Sequence, residues 1–334
     1  MESLIKYSRI IGHDFSLIQG AGGNTSLKNG GRLWVKASGF ELGSIDKAGF
    51  IEVDRYKLIK LIANEHLHFL GEHERDHFIS QELNKCIVDG NKGIRPSIET
   101  FFHALLPQKY VVHVHSILIN GITCRDQGID IAVEISDICN WSWVPYSRPG
   151  LALALAIKDV LPGQLDQLSS YTLFLENHGI VIAAHSLDEI DKLLNRFKLS
   201  ILDYLGPWQW SEPIGYDSYH LAMPEPQIYG ALYPDHVVFC GGIGIVCSRN
   251  DLATSMDLYQ HKYNVPCKYG VVDGELTIFD TKDAHAFLRF IKAHVDTYQL
   301  TLRNNGQPKF LHDNDVTYLL QWESEKFRQK LNEQ

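Results

Sequence analysis

The segment Val111-Val112-His113-Val114-His115 constrains this chain more than any other. Apolar and polar side chains alternate with the two-residue period of a β-strand. His113 and His115 therefore share a face, about 7 Å apart by the usual rise per residue. A single strand histidine is usually satisfied by a carbonyl or by water. Two on one face beside an apolar run leave that reading open, together with a second one, a shared divalent metal. A third nitrogen is offered by Asn177-His178-Gly179, which closes the apolar run Leu173-Phe174-Leu175. Three imidazoles would leave one coordination position open, as catalytic zinc requires.

Around that strand the pattern predicts a helix over 1–14, a Gly-rich loop over 19–27, a strand over 32–36 and a turn at Ala37-Ser38-Gly39. Residues 54–90 read as helical and charged. A helix over 98–106 follows Pro96, with Ser97 as its cap. Further helices are expected over 116–126, 151–160 and 187–205, and a strand over 171–175. The prolines between 211 and 227 break the pattern and predict a linker. It separates a first domain, 1–210, from a small α+β extension, 228–334. In that extension 235–240 and 244–247 read as short strands, Asp273-Gly274 as a tight hairpin turn, and two or three helices finish the chain.

With 334 residues, 45% hydrophobic and 21% charged, the chain can bury a sizeable core. A net charge of −9 argues against a nucleic-acid partner, although a local site can oppose the global sign. Six scattered cysteines with no Cys-x-x-Cys pair predict reduced thiols. The start does not read as a signal peptide and no apolar run reaches the length of a membrane span, so a cytoplasmic protein without a membrane partner is expected.

Other motifs carry less. Glu99 reads either as a first-turn acid favoured by the helix dipole or as a group serving the metal, with His103 as a packing residue one turn on. The loop Gly20-Ala21-Gly22-Gly23 is either a tight connection or an anion cradle of backbone N–H groups assisted by Asn24, Thr25 and Ser26. His73-Glu74-Arg75-Asp76-His77 matches a zinc-protease pattern, but its charged neighbours make it a solvated helix face. Cys240-Gly241-Gly242-Ile243-Gly244 precedes a strand-like run and not the helix that a dinucleotide loop needs.

In order, Gly23-Asn24-Thr25-Ser26, Ser38-Gly39, Pro96-Ser97-Ile98-Glu99, His113-Val114-His115 and Asn177-His178-Gly179 resemble the metal-dependent members of the class II aldolase/adducin family, over residues 1–210. The longer strings Leu33-Trp34-Val35-Lys36-Ala37-Ser38-Gly39 and Pro96-Ser97-Ile98-Glu99-Thr100 are similar to the aldolase half of bifunctional rhamnulose-phosphate aldolase/dehydrogenases. The chain is expected to end before a dehydrogenase could begin.

The resemblance implies an α/β fold, a three-layer α/β/α sandwich with a mixed, largely antiparallel central sheet. It also implies a homo-oligomer, commonly a tetramer. It assigns His113, His115 and His178 to Zn2+ or another divalent metal, Glu99 to acid/base work, and Asn24, Ser38, Gly39 and Ser97 to a phosphate pocket. Where many members have a second hydroxyl residue this chain has Ile98, and Lys36 is the candidate to replace the lost contact with a point charge. The implied activity is cleavage of a ketose 1-phosphate, of rhamnulose- or fuculose-phosphate type, to dihydroxyacetone phosphate and an aldehyde through a metal-stabilised enediolate. The same family includes sugar-phosphate epimerases, a dehydratase, decarboxylases and non-catalytic adducin-like scaffolds, and these are the alternatives.

Overall fold

A computed structural model of the chain describes residues 1–88, 93–136, 139–213, 230–279 and 283–321. Seven strands form one sheet: β1 (Asn24–Asn29), β2 (Arg32–Lys36), β3 (Phe50–Asp54), β4 (Tyr110–Val114), β5 (Trp141–Val144), β6 (Ser170–Leu175) and β7 (Gly179–Ala184). Their order is β3-β2-β1-β4-β7-β6-β5. Only β5 and β6 pair in parallel, and the other five pairings are antiparallel.

The central strands are apolar at both parities because helices cover both faces. On one face Val112 and Val114 of β4 pack with Ile180 and Ile182 of β7, under helices Glu2–His13, Ile117–Thr123 and Leu187–Leu205. On the other, Val111 packs with Val181 and Ala183, under helices Arg55–Ile62, Thr100–Leu105 and Leu151–Val160. This is the three-layer sandwich expected from the sequence. Burying each such side chain contributes roughly 1.5–3 kcal/mol.

With both faces apolar, burial alone does not choose the register, so the turns must. β6 and β7 join through a three-residue turn that pairs Leu175 with Gly179. Asn177 sits in the left-handed region at φ 53°, which asparagine tolerates. At Gly179 a side chain would meet the Val114 carbonyl at 2.4 Å, so only glycine lets the turn lie against β4. The register so set places His113 opposite Asn24 on one side and Val181 on the other.

The C-terminal part adds a small sheet of order β10-β9-β8, from β8 (Ile245–Cys247), β9 (Tyr269–Val272) and β10 (Glu275–Ile278). The β9–β10 turn holds Asp273 and Gly274 at φ 53° and 86°, the tight hairpin read from the sequence. Helix Ala284–Leu302 buries Ala293 and Leu300 in the same core as the first helices of the chain.

Three local expectations need correction. Residues 235–240 are not a strand: helix Pro234–Cys240 has proline in its first turn, Asp235 beside it, and Gly241 as a left-handed cap at φ 83°. The helix before β4 starts at Thr100, and Ser97 stands before it. The Gly-rich loop stops at Gly23, since Asn24 already opens β1. From residue 214 onward the expected linker lies outside the described residues. Among the described residues no helix is long and apolar enough to cross a membrane.

Candidate metal centre

Three elements deliver one buried cluster of four side chains. His113 is in β4 and His115 follows its last residue. His178 completes the β6–β7 turn, and Glu99 is the residue that caps helix Thr100–Leu105. Ligand atoms of Glu99, His113, His115 and His178 all lie within 4.8 Å of one another. Glu99 Oε1 is 3.3 Å from His113 Nε2 and 3.4 Å from His178 Nε2, while Nε2 of His113 and Nε2 of His115 are 2.8 Å apart.

The outer ring nitrogens explain why those inner edges converge. His113 Nδ1 meets the Ile180 carbonyl at 2.9 Å, and His115 Nδ1 meets Asp235 Oδ2 at 2.5 Å. Carbonyl and carboxylate oxygens accept, so each Nδ1–H donates, and in the neutral rings both Nε2 lone pairs face inward. Two lone pairs at 2.8 Å repel unless a proton or a cation lies between them.

Glu99 makes the same demand. A buried carboxylate without a cation costs several kcal/mol. Its Oε2 accepts from Asn24 Nδ2 at 2.9 Å, a neutral donor. Burial opposes its charge, yet His113 and His178 prevail and hold its pKa well below the usual carboxylate range. Burial likewise opposes a charge on His113, and the adjoining Glu99 overcomes it and raises that pKa. His178 behaves differently: burial lowers its pKa to about 4, against the pull of Glu99, so it is a neutral ring with a lone pair to give. Three imidazole nitrogens and one carboxylate form a donor set suited to zinc and similar divalent ions. The residues fit such an ion.

The pocket beside the cluster is lined by Asn24, Lys36, Ser38, Gly39, Ser97 and Ile98. Asn24 Nδ2 also donates to Ser97 Oγ at 2.8 Å, and the Glu99 N–H donates to the same oxygen at 3.3 Å. Lys36 Nζ donates to the carbonyls of Ala21 and Phe40 at 2.7 and 2.8 Å. Thr25 and Ser26 do not line this pocket. On the pleated β1, Thr25 Oγ1 bonds Ser8 Oγ at 2.7 Å and Ser26 Oγ bonds His103 Nδ1 at 2.8 Å. Their place in a strand, not a loop, is the reason they leave the expected anion cradle.

Residues 2–195 match the model of the class II aldolase and adducin N-terminal domain. The chain belongs to that family. A Bacillus subtilis (strain 168) protein named "uncharacterized oxidoreductase YuxG" is 34% identical over 190 residues, 54% of this chain and 26% of its own. The chain thus spans about a quarter of that curated relative. Among solved structures, the N-terminal class II aldolase domain of a conserved Thermoplasma acidophilum protein aligns at 27% identity with a TM-score of 0.50. That alignment covers 60% of this chain and 91% of that one. An L-fuculose 1-phosphate aldolase aligns at 18% identity and TM-score 0.40, covering 61% and 83%.

Within this class II aldolase fold two features escaped the sequence reading. Asp235, on His115, lies beyond the matched residues, and its one local signal is Pro234-Asp235 with Gly241 past the end, a short helix read as a strand. Asn177 does more than shape the turn, for its Nδ2 donates to the carbonyls of Leu232 and Lys309 at 2.8 and 2.6 Å. Of the protease-like motif, His77 stays outside: it is exposed on helix Glu72–Lys85 and bonds Gln81 of the same helix at 2.9 Å.

Proposed function

We propose that this chain is a zinc-dependent class II aldolase that cleaves a ketose 1-phosphate of the rhamnulose or fuculose type to dihydroxyacetone phosphate and an aldehyde. The convergence of His113, His115, His178 and Glu99 beside a wall of hydrogen-bond donors carries this reading. A divalent ion held by the three imidazoles supplies Lewis acidity toward negative charge developing on the substrate's oxygens.

The chain's own groups do the rest. In cleavage Glu99 takes the proton given up by the hydroxyl that becomes the aldehyde and passes it to the carbon whose bond breaks. In condensation it moves that proton back, a task for a carboxylate that starts ionised. Asn24 holds Oε2, which turns Oε1 toward the cluster. Ser97 Oγ already accepts from Asn24 and from the Glu99 N–H, so its own hydrogen is directed elsewhere, toward a phosphate oxygen. Ser38 and the Gly39 backbone add donors without net charge, and Lys36 adds a point charge at the pocket wall.

The half-buried Ile98 stands in that wall without a donor. It supports a second reading, in which the same cluster serves an epimerase, a dehydratase or a decarboxylase with a looser hold on phosphate. Incubating zinc-loaded protein with a panel of ketose 1-phosphates separates the two. Release of dihydroxyacetone phosphate is expected, and its absence with metal confirmed overturns the aldolase reading.

The longer relative's name, an oxidoreductase, supports placing this module among proteins that join an aldolase part to a redox part. A cytoplasmic homo-oligomer, a tetramer, belongs to the same reading, and sedimentation of the purified chain checks its size.

A further inference from the structure

His115 stands just past the end of β4, where strand pairing no longer holds its ring. Its Nδ1 is held instead by Asp235 Oδ2 at 2.5 Å, with both side chains buried at 4% and 3% exposure. Asp235 sits in the first turn of helix Pro234–Cys240, outside the family-matched residues 2–195. The approach is tight on its far side as well. At Gly22 a Cβ would lie 2.4 Å from Asp235 Oδ2 and 3.1 Å from His115 Nδ1. Gly22 is not among the positive-φ glycines, so what requires glycine there is this pair together with the Gln19 carbonyl, 2.8 Å from the same Cβ, and not the backbone angle.

The same C-terminal part grips the turn that carries His178. Besides the two Asn177 hydrogen bonds, Lys309 Nζ pairs with Glu176 Oε1 at 2.8 Å. One of the three imidazoles is thus held directly, and the turn that carries a second is anchored, by residues beyond 195.

We propose that Asp235 is a positioning residue of the metal centre, setting the tautomer and ring orientation of His115 from outside the family domain. A carboxylate accepting from Nδ1–H fixes Nε2 as the bare nitrogen and makes it a better donor to a metal, which is why such partners raise affinity. This rests on the reading of His113, His115, His178 and Glu99 as the metal site.

Zinc titration of the full chain against a chromophoric chelator tests it, with circular dichroism as the check on folding. Asp235→Leu raises the zinc dissociation constant roughly 10–100-fold, the range for losing a partner of this kind. Asp235→Asn gives a smaller rise, because an amide oxygen still accepts from Nδ1–H but brings no charge. It is isosteric, and it carries the test should Asp235→Leu not fold. If the unaltered chain binds zinc and both Asp235 variants stay within about twofold of it, below the range cited for such partners, the proposal is overturned while the metal site stands. If the unaltered chain binds no zinc, the metal site falls and the proposal with it.

Discussion

Among the described residues two groups of buried histidines stand out, and they differ in how the rings meet. In the first, His113, His115 and His178 stand at 54–74° to one another with centroids 4.6–5.0 Å apart. In the second, His236 and His294 lie flat on each other, 3.6 Å apart and 7° from parallel. Rings turned edge to edge bring their lone pairs to one point, where a cation can meet them all. Rings stacked face to face send their lone pairs sideways, and His236 Nε2 ends on the Tyr269 hydroxyl at 3.2 Å. The first group also faces the Glu99 carboxylate. Burying histidines together does not make a metal site; converging edges and an anion do.

The sharpest way to break this contrast is to remove a converging edge. His178→Ala or His113→Ala is expected to lose bound metal and activity completely. His77→Ala, on the exposed helix, keeps both, and His236→Phe keeps the metal. Metal analysis after dialysis checks all four, and full retention by His178→Ala would end the distinction. Glu99→Gln comes next. It preserves shape but removes the charge and the proton acceptor, so kcat falls roughly 10²–10⁴-fold, and the three imidazoles alone hold zinc less tightly. A steady-state assay with metal content measured alongside decides it.

The smallest effect concerns the stacked pair. Burial, reinforced by His294, holds the His236 pKa well below its ordinary value, and burial with Lys28 nearby does the same to His103. Below about pH 6.5 the unfolded chain takes up protons at these positions that the folded chain refuses. Stability is therefore complete above that pH and declines as pH falls through it, by about 1.4 kcal/mol per pH unit for each such histidine. Denaturant melts between about pH 7 and 5 should show the decline, and His236→Phe should make it shallower. An unchanged slope would mean that the stacked pair does not resist protonation.

Much of the first histidine group was legible in the residues. Val111 to His115 announces its strand by alternation, and the run 171–175 announces the turn that follows it. The motif order then brings Glu99 and Asn24 to the same place. What stayed hidden has physical reasons. Asp235 reaches His115 across 120 positions, and no local period encodes such a contact. The Val237-Val238-Phe239 core of its segment has strand-like composition, which Pro234 and Gly241 override by capping a single short helix. Thr25 and Ser26 look like loop donors beside three glycines, yet pairing with β4 pulls them into a strand and turns their hydroxyls to Ser8 and His103.

The bond between His115 and Asp235 has a kinetic side. Asn24 and Glu99 are joined across 75 residues, and His115 and Asp235 across 120, so the centre closes only after most of the chain has found its place. Contacts of such long separation form late in folding, because the loops between them must be ordered first. A metal that binds only at that stage is expected to lengthen the lifetime of the native state by slowing unfolding and to leave the folding rate nearly as it was.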